Sequence, residues 1–131
     1  MKYLPWICLV VIFAVFAGAA VSSALADKAF LDEFKAKYVK ESSADAKDVA
    51  FKSAVDEAKC AVCHGKSKKD RNAYGEALGQ FLSRKTDKDN KEKIQTSLDK
   101  VAAMKVKAGD AQAPTFGDLI KEGKLPAEAK K

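Results

Sequence analysis

Residues 60–64 have the sequence Cys-Ala-Val-Cys-His. The two cysteines are three positions apart, and His64 directly follows the second one. In a helical turn this spacing places both thiols along one side of the chain and sets the imidazole beside them. His64 is the only histidine of the 131-residue chain. We therefore expect these five residues to form the chemical centre around which the protein folds.

The N-terminal segment, residues 1–26, indicates export. After a short basic start it has an apolar stretch over residues 4–21 and small residues that end in Ala24-Leu25-Ala26. This order is typical of a secretory signal peptide, with cleavage predicted after Ala26. An uncleaved anchor is the alternative, because an apolar stretch of this length just spans a bilayer. With cleavage, residues 27–131 are expected in the periplasm or an equivalent extracytoplasmic compartment, with no membrane span.

The exported part, residues 27–131, is predicted to form one small, charged domain, and its length excludes a large multidomain enzyme. Leu, Ile, Val and Phe make up fewer than one residue in five there. Such a composition lies near the boundary at which charged chains remain disordered. Cys60 and Cys63 are too close in sequence to join distant segments by a disulfide. We therefore expect a bound group to supply apolar mass.

A C-x-x-C-H sequence in an exported chain is typical of the attachment site of a c-type haem. In such a site Cys60 and Cys63 add to the vinyl groups of the haem, and His64 is the proximal ligand of the iron, with its other ring nitrogen bonded to a carbonyl. A structural zinc site is a weaker interpretation, because it needs four ligands and the motif offers only two thiolates and one imidazole. A thioredoxin-like redox dithiol is also a weaker interpretation, because such motifs occur in βαβ units and the pattern of this sequence is helical. We therefore predict one haem c per chain.

The helical periodicity of the exported part predicts an all-α fold of four to five helices. Apolar residues recur there at three- and four-residue steps and almost nowhere alternate. Capping residues suggest where the helices begin and end. The first helix is predicted at residues 28–39, and the second runs from Asp45 as N-cap into residues 60–65. The third begins after Asp70 as N-cap, and the fourth carries the apolar stripe Ile94, Leu98, Val101 and Ala102. The fifth covers residues 116–122, between a Thr115–Asp118 capping signature and Gly123 as C-cap.

The sequence resembles the small monohaem c-type cytochromes of class I, in which a helix leads into C-x-x-C-H and further helices follow. The specific resemblance covers Cys60, Cys63 and His64. The stretches Arg71-Asn72-Ala73-Tyr74-Gly75 and Pro114-Thr115-Phe116-Gly117 are similar to a family of small exported cytochrome-like proteins. The resemblance implies a cytochrome c-like helical domain around one covalently bound haem, with a sixth iron ligand supplied later in the chain.

The sixth iron ligand separates an electron carrier from a gas-binding protein. Methionine is the usual partner of histidine in soluble carrier cytochromes, and Met104 is the one candidate in residues 27–131. Helical geometry places Met104 at the edge of the apolar stripe, so a role as a core residue stays open. A lysine, an open position or a ligand from another subunit would instead indicate a protein that binds or senses diatomic gases, or a haem subunit of a larger redox complex.

Four basic residues follow the motif closely: Lys66, Lys68, Lys69 and Arg71. They are expected to border the haem edge and to attract an acidic redox partner in a transient complex, with a solvated loop as the alternative. Nucleic acid is not an expected partner, because basic and acidic residues are interleaved and the chain is exported. No group for bond-making catalysis is evident, since the only histidine is assigned to iron. The sequence thus predicts a one-electron carrier and no enzyme.

Overall fold

The structure, a computed structural model, describes residues 23–128. The predicted signal peptide lies outside this part of the chain except for residues 23–26, which belong to the first helix. The described part is helical and contains no strand, which confirms the all-α class. None of the helices in residues 23–128 is both long and apolar enough to cross a lipid bilayer. The elements are α1 (Ser23–Tyr38), α2 (Ala46–Ala58), a 3₁₀ turn (Lys59–Val62), α3 (Ala73–Gly79), α4 (Lys91–Ala102) and α5 (Phe116–Lys121).

Capping residues define the ends of α2 and α5 as predicted. The side chain of Asp45 accepts a hydrogen bond from the backbone N–H of Lys47 at 2.8 Å, which satisfies one donor of the first turn of α2. Thr115 and Asp118 form a reciprocal capping box at the start of α5. Gly123 follows α5 with a φ of 77°, a conformation in which a side chain would be strained. The predicted N-caps Asp45 and Thr115 are confirmed, whereas the C-cap of α5 is Glu122, one residue before the predicted Gly123.

The predicted start of the third helix at Asp70 is wrong. The N-cap of α3 is Asn72, whose side-chain oxygen accepts a hydrogen bond from the N–H of Gly75 at 2.9 Å. The backbone of Asp70 makes a different contact, because its carbonyl accepts a hydrogen bond from the N–H of Gly65 at 2.7 Å. Residues 64–71 therefore close into a loop that returns to the motif, and α3 can begin only after this loop.

The second helix is shorter than predicted. It ends at Ala58, and the first part of the motif follows in the 3₁₀ turn. Lys59 joins the two with a φ of 49°, a region that residues with side chains rarely adopt. The first helix, in contrast, begins at Ser23, upstream of the predicted start at Lys28. The motif is thus carried by a tight turn and not by a continuous helix.

Helix α4 lies at the centre of the bundle, because it contacts α1, α3 and α5, while the 3₁₀ turn packs against α1 and α2. The ring of Tyr74 is fully buried. It makes edge-to-face contacts with Phe34 and Phe116, at centroid distances of 5.7 Å and 5.3 Å. Residues 23–128 therefore contain one contiguous apolar core, beside which the motif lies. Its largest fully buried apolar side chains also include Ile94, Leu98, Val55, Val62 and Val101.

Candidate haem-binding site

Cys60, Cys63 and His64 line one cleft at the surface of the bundle. The cleft encloses about 620 Å³, including space that is open to solvent. The structure thus brings the three predicted attachment residues to the same cavity. Its apolar wall is formed by Phe30, Leu31, Leu78 and Leu82.

The imidazole of His64 has one ring nitrogen with a partner and one without. Nδ1 lies 2.8 Å from the carbonyl oxygen of Gly65. Because a carbonyl oxygen can only accept, Nδ1 is the donor of this bond, and in the neutral imidazole the lone pair therefore lies on Nε2. Nε2 is buried and has no hydrogen-bond partner among residues 23–128. The predicted carbonyl partner is therefore present, and the other ring nitrogen is a buried polar atom without a hydrogen bond.

The backbone of the motif holds the three side chains in one turn. The carbonyl of Cys60 accepts hydrogen bonds from the N–H groups of Cys63 and His64, both at 3.2 Å. Cys60 is exposed and Cys63 is half-buried. The two sulfurs and the imidazole therefore belong to positions 60, 63 and 64 of one tight turn, which is closed by its own backbone hydrogen bonds.

Asn72 joins this turn to α3. Its side chain is almost completely buried and donates to the carbonyls of Val62 at 2.9 Å and Ala61 at 3.3 Å, while its oxygen accepts from Gly75. Its backbone N–H also donates to the carbonyl of Cys63 at 3.1 Å. Both ends of one amide group are thus used to hold the motif against the helix. Sequence reasoning found the helix but not this role of Asn72.

Gly75 lies where α3 passes closest to the motif. A Cβ atom at this position would overlap the carbonyl oxygen of Cys63, which is backbone and cannot turn aside. The absence of a side chain therefore allows α3 to form one wall of the cleft beside Cys63. A glycine inside a helix was the available signal for a close approach of this kind.

The predicted basic residues divide into two groups. Lys68 and Arg71 line the cleft. Lys66 and Lys69 are exposed on the loop and are not among the lining residues. The cleft has two further basic residues that sequence reasoning missed, Lys59 and Arg84. Lys59 is adjacent to Cys60 and could have been suspected, whereas Arg84 reaches the cleft only through the folded path of the chain after α3.

Met104 does not reach the cleft in the described part of the chain. It follows α4, where its N–H donates to the carbonyl of Val101 at 2.9 Å and its carbonyl accepts from Phe116 at 3.0 Å. Its side chain packs, half-buried, against the apolar core. Within residues 23–128, the residues that line the cleft include no methionine and no second imidazole. The assignment of Met104 as the sixth ligand stays a prediction.

The residues of the cleft meet the requirements of haem c and of a directly bound metal ion to different degrees. Within residues 23–128, no group of three or more His, Cys, Asp or Glu side chains is arranged to hold a metal ion. Covalent haem has a different requirement: two thiols on one turn, one neutral imidazole with a buried lone pair, and apolar walls. Cys60, Cys63 and His64 meet this requirement.

Comparisons with protein-family models, with curated proteins and with solved structures gave no match.

Proposed function

We propose that this protein carries one covalently attached haem c and transfers single electrons in an extracytoplasmic compartment. The observation that carries the proposal is the buried Nε2 of His64, which lacks a partner within residues 23–128 and lies in the same cleft as Cys60 and Cys63. A buried polar atom without a hydrogen bond costs about 1–3 kcal/mol. Ligation to iron would remove that cost, since it uses the lone pair that the Nδ1 hydrogen bond leaves on Nε2.

The residues of the chain would each have a distinct task. Cys60 and Cys63 would hold the haem by thioether bonds and His64 by Nε2, and the haem would supply the one-electron couple of its iron. The carbonyl of Gly65 keeps the proton on Nδ1, which orients the imidazole and increases the basicity of Nε2. Leu78 and the other apolar lining side chains would exclude water from the ring and so favour the less charged oxidation state.

The exposed basic residues support a transient complex with an acidic redox partner. Lys66 and Lys69 lie on the loop that directly follows His64, and Lys59 precedes Cys60. All three are exposed, so they would form a basic border beside the motif. Such a border speeds encounter with an acidic protein through long-range attraction and is weakened by salt. No stable interface is required for this function.

An absorption spectrum of the exported, purified protein tests the proposal. We expect haem bands that survive denaturation and shift to those of the pyridine complex of a thioether-linked haem. The variant Cys60→Ser with Cys63→Ser should lose covalent haem, whereas the control Ser53→Ala, on an exposed position of α2, should retain it. Wild-type protein without haem, after expression with haem-attachment machinery, would contradict the proposal.

A second candidate function is the reversible binding of a diatomic gas at an open sixth position. One observation favours it: Met104 is not among the residues that line the cleft. Carbon monoxide binding to the reduced protein distinguishes the two functions, together with the variant Met104→Leu. Indifference to carbon monoxide in the wild type, with binding in Met104→Leu, would support the carrier. Ready binding in both would support gas binding, or a haem subunit whose sixth ligand comes from a larger complex.

A further inference from the structure

Within residues 23–128, Lys59 is the only residue other than glycine that adopts a positive φ. Its φ of 49° and ψ of −119° lie outside the regions that a side chain readily allows, so this position favours glycine. Lys59 directly precedes Cys60, which places the strain where α2 passes into the motif. A strained backbone of this kind persists only where the surrounding structure determines it. The conformation of Lys59 is therefore imposed by contacts elsewhere in the fold.

The local sequence around Lys59 favours a continuous helix. Residues 59–64 contain neither glycine nor proline. The apolar stripe of α2 continues with helical spacing from Phe51 and Val55 to Val62. A helix that ran on through the motif would be free of strain at Lys59. It would also place both thiols and the imidazole on one helix face, since the second thiol and the imidazole follow the first thiol by three and four positions.

Asn72 supplies the contacts that hold the chain in the broken conformation. Its side-chain amide donates to the carbonyls of Ala61 and Val62, at 3.3 Å and 2.9 Å. Its backbone N–H donates to the carbonyl of Cys63 at 3.1 Å. Together these three hydrogen bonds from one buried residue are of the size needed to offset the strain of a single residue. Asn72 therefore fixes the 3₁₀ turn against α3 while Lys59 bears the strain.

We propose that the motif segment is a conformational switch: α2 runs on through residues 59–64 while α3 is undocked, and docking of Asn72 breaks the helix at Lys59. In the first state both thiols and the imidazole lie on one helix face, open to an attachment enzyme. In the second state the same side chains line the cleft. The role in attachment rests on the proposed function, whereas the strain and its cause are measured by stability, which needs no haem.

The first test compares glycine with alanine at position 59. Lys59→Gly and Lys59→Ala both remove the charge, but only glycine relieves the strain. In urea denaturation of the purified full-length protein, the unfolding equilibrium constant of Lys59→Gly should be roughly fivefold smaller than that of Lys59→Ala. The matched pair at Ser53, an exposed position inside α2, should show the opposite order, because alanine is the better helix former. Equal or lower stability of Lys59→Gly would overturn the proposal.

The second test repeats the comparison at position 59 in protein that carries Asn72→Ser. Serine still serves as the N-cap of α3 towards Gly75, but it lacks the amide that donates to Val62. The advantage of glycine over alanine should disappear in this background, because α2 can extend and the strain is absent for either residue. An advantage of unchanged size would show that Asn72 does not impose the strain and would overturn the proposal.

Hydrogen exchange gives a readout that requires no substitution at Asn72. The N–H of Asn72, which bonds to the carbonyl of Cys63, should exchange faster than that of Leu98 in α4, because opening of the turn leaves α4 intact. It should also exchange roughly fivefold more slowly in Lys59→Gly than in Lys59→Ala, since relief of the strain removes the gain from opening. The same exchange rate at Asn72 in these two variants would overturn the proposal.

Haem content separates this inference from the proposed function. Purified Asn72→Ser should carry as much covalent haem per chain as the wild type, because the continuous helix already presents the motif. A lower haem content in Asn72→Ser would overturn the role of the switch in attachment and leave haem binding by the wild type in place. Wild-type protein without haem would overturn the proposed function, while the comparisons at position 59 would still decide whether Asn72 holds a strained residue.

Discussion

The backbone of Gly75 lies against the carbonyl group of Cys63, with no room for a side chain between them. This contact joins the first turn of α3 to the motif, and it sets the position of one cleft wall relative to the second cysteine. Because the obstructing atom belongs to the backbone, neither partner can relieve an added methyl group by rotating a bond. The relationship therefore makes a sharp prediction about substitution at this position.

Gly75→Ala should destabilise the protein by about 1–3 kcal/mol, the usual cost of overpacking a tight contact. Without the contact, the same change in a helix would stabilise by roughly 0.5–1 kcal/mol, because alanine is the better helix former. Gly79→Ala is the matched control for stability, since its added methyl group meets only the flexible end of Arg71. Chemical denaturation of the two purified variants measures the difference. Equal stabilities would contradict the close approach.

Asn72→Ala should cost about 2–4 kcal/mol, because it removes a buried amide and leaves the Val62 carbonyl and the Gly75 N–H without partners. Asn90 is the matched control: it is also an N-cap, but it is exposed, and its side chain makes a single bond to the N–H of Lys93. Asn90→Ala should lose only about 1 kcal/mol. Thermal unfolding compares the loss of stability in the two variants. A smaller loss in Asn72→Ala than in Asn90→Ala would disprove the role of Asn72 in holding the motif to α3.

Tyr74→Phe should leave the free energy of unfolding unchanged or raise it by about 1 kcal/mol, because the hydroxyl of Tyr74 is buried without a partner within residues 23–128. Burial raises the pKa of Tyr74 far above its ordinary value, so the hydroxyl stays neutral and acts as an unsatisfied polar group. Tyr38 provides the contrast, since its hydroxyl donates to the carbonyl of Leu98 at 3.1 Å. Tyr38→Phe should lose about 1 kcal/mol. Denaturant titration measures both variants, and a larger loss of stability in Tyr74→Phe than in Tyr38→Phe would contradict an unsatisfied hydroxyl at Tyr74.

Asp87 should contribute to stability at neutral pH and lose that contribution in acid. Hydrogen bonds from Lys93, then from the backbone of Ser83, hold the pKa of this buried carboxyl below its ordinary value of 3.8. A lowered pKa in the folded state means that the contribution is complete above about pH 3.8 and disappears as the pH falls through the folded-state pKa.

Thermal melts as a function of pH test this expectation with Asp87→Asn. The variant should melt at a lower temperature than the wild type at pH 7, and the difference should narrow in strong acid. Asp89→Asn, at a neighbouring exposed carboxylate, should melt like the wild type throughout. A constant difference between wild type and Asp87→Asn from pH 7 to strong acid would rule out the ionised carboxylate as the cause.

The reduced protein should react faster with an anionic oxidant than with a cationic one. Ferricyanide is attracted by the exposed Lys66 and Lys69, so its bimolecular rate constant should fall as ionic strength rises. In the double variant Lys66→Glu with Lys69→Glu this salt dependence should weaken or reverse. The matched control is the double variant Lys107→Glu with Lys121→Glu, in which both replaced lysines are exposed on other segments of the chain. Stopped-flow kinetics measures both, and the same salt dependence in the two double variants would exclude a local basic border.

Local patterns were sufficient to predict the helical class and the caps at Asp45 and Thr115, and they singled out the three motif residues that line one cleft. Local patterns did not predict features that depend on hydrogen bonds to backbone groups farther along the chain. Asp70 and Asn72 are both good capping residues, and the choice between them is made by the hydrogen bond between Gly65 and Asp70. The close approach of the Arg71 guanidinium to Gly79 is likewise not predictable from the sequence, because Arg71 lies outside α3.

The unequal exposure of the two cysteines bears on the order of events during maturation. Cys60 is open to solvent, whereas Cys63 is half-buried and its carbonyl lies against α3. A chain that folded first would offer one accessible thiol and one hindered thiol to an attachment enzyme. If the chain carries haem as proposed, we expect both thioether bonds to form while α3 is still detached, so that the docking of Asn72 and Gly75 closes the site afterwards and ends the maturation of the protein.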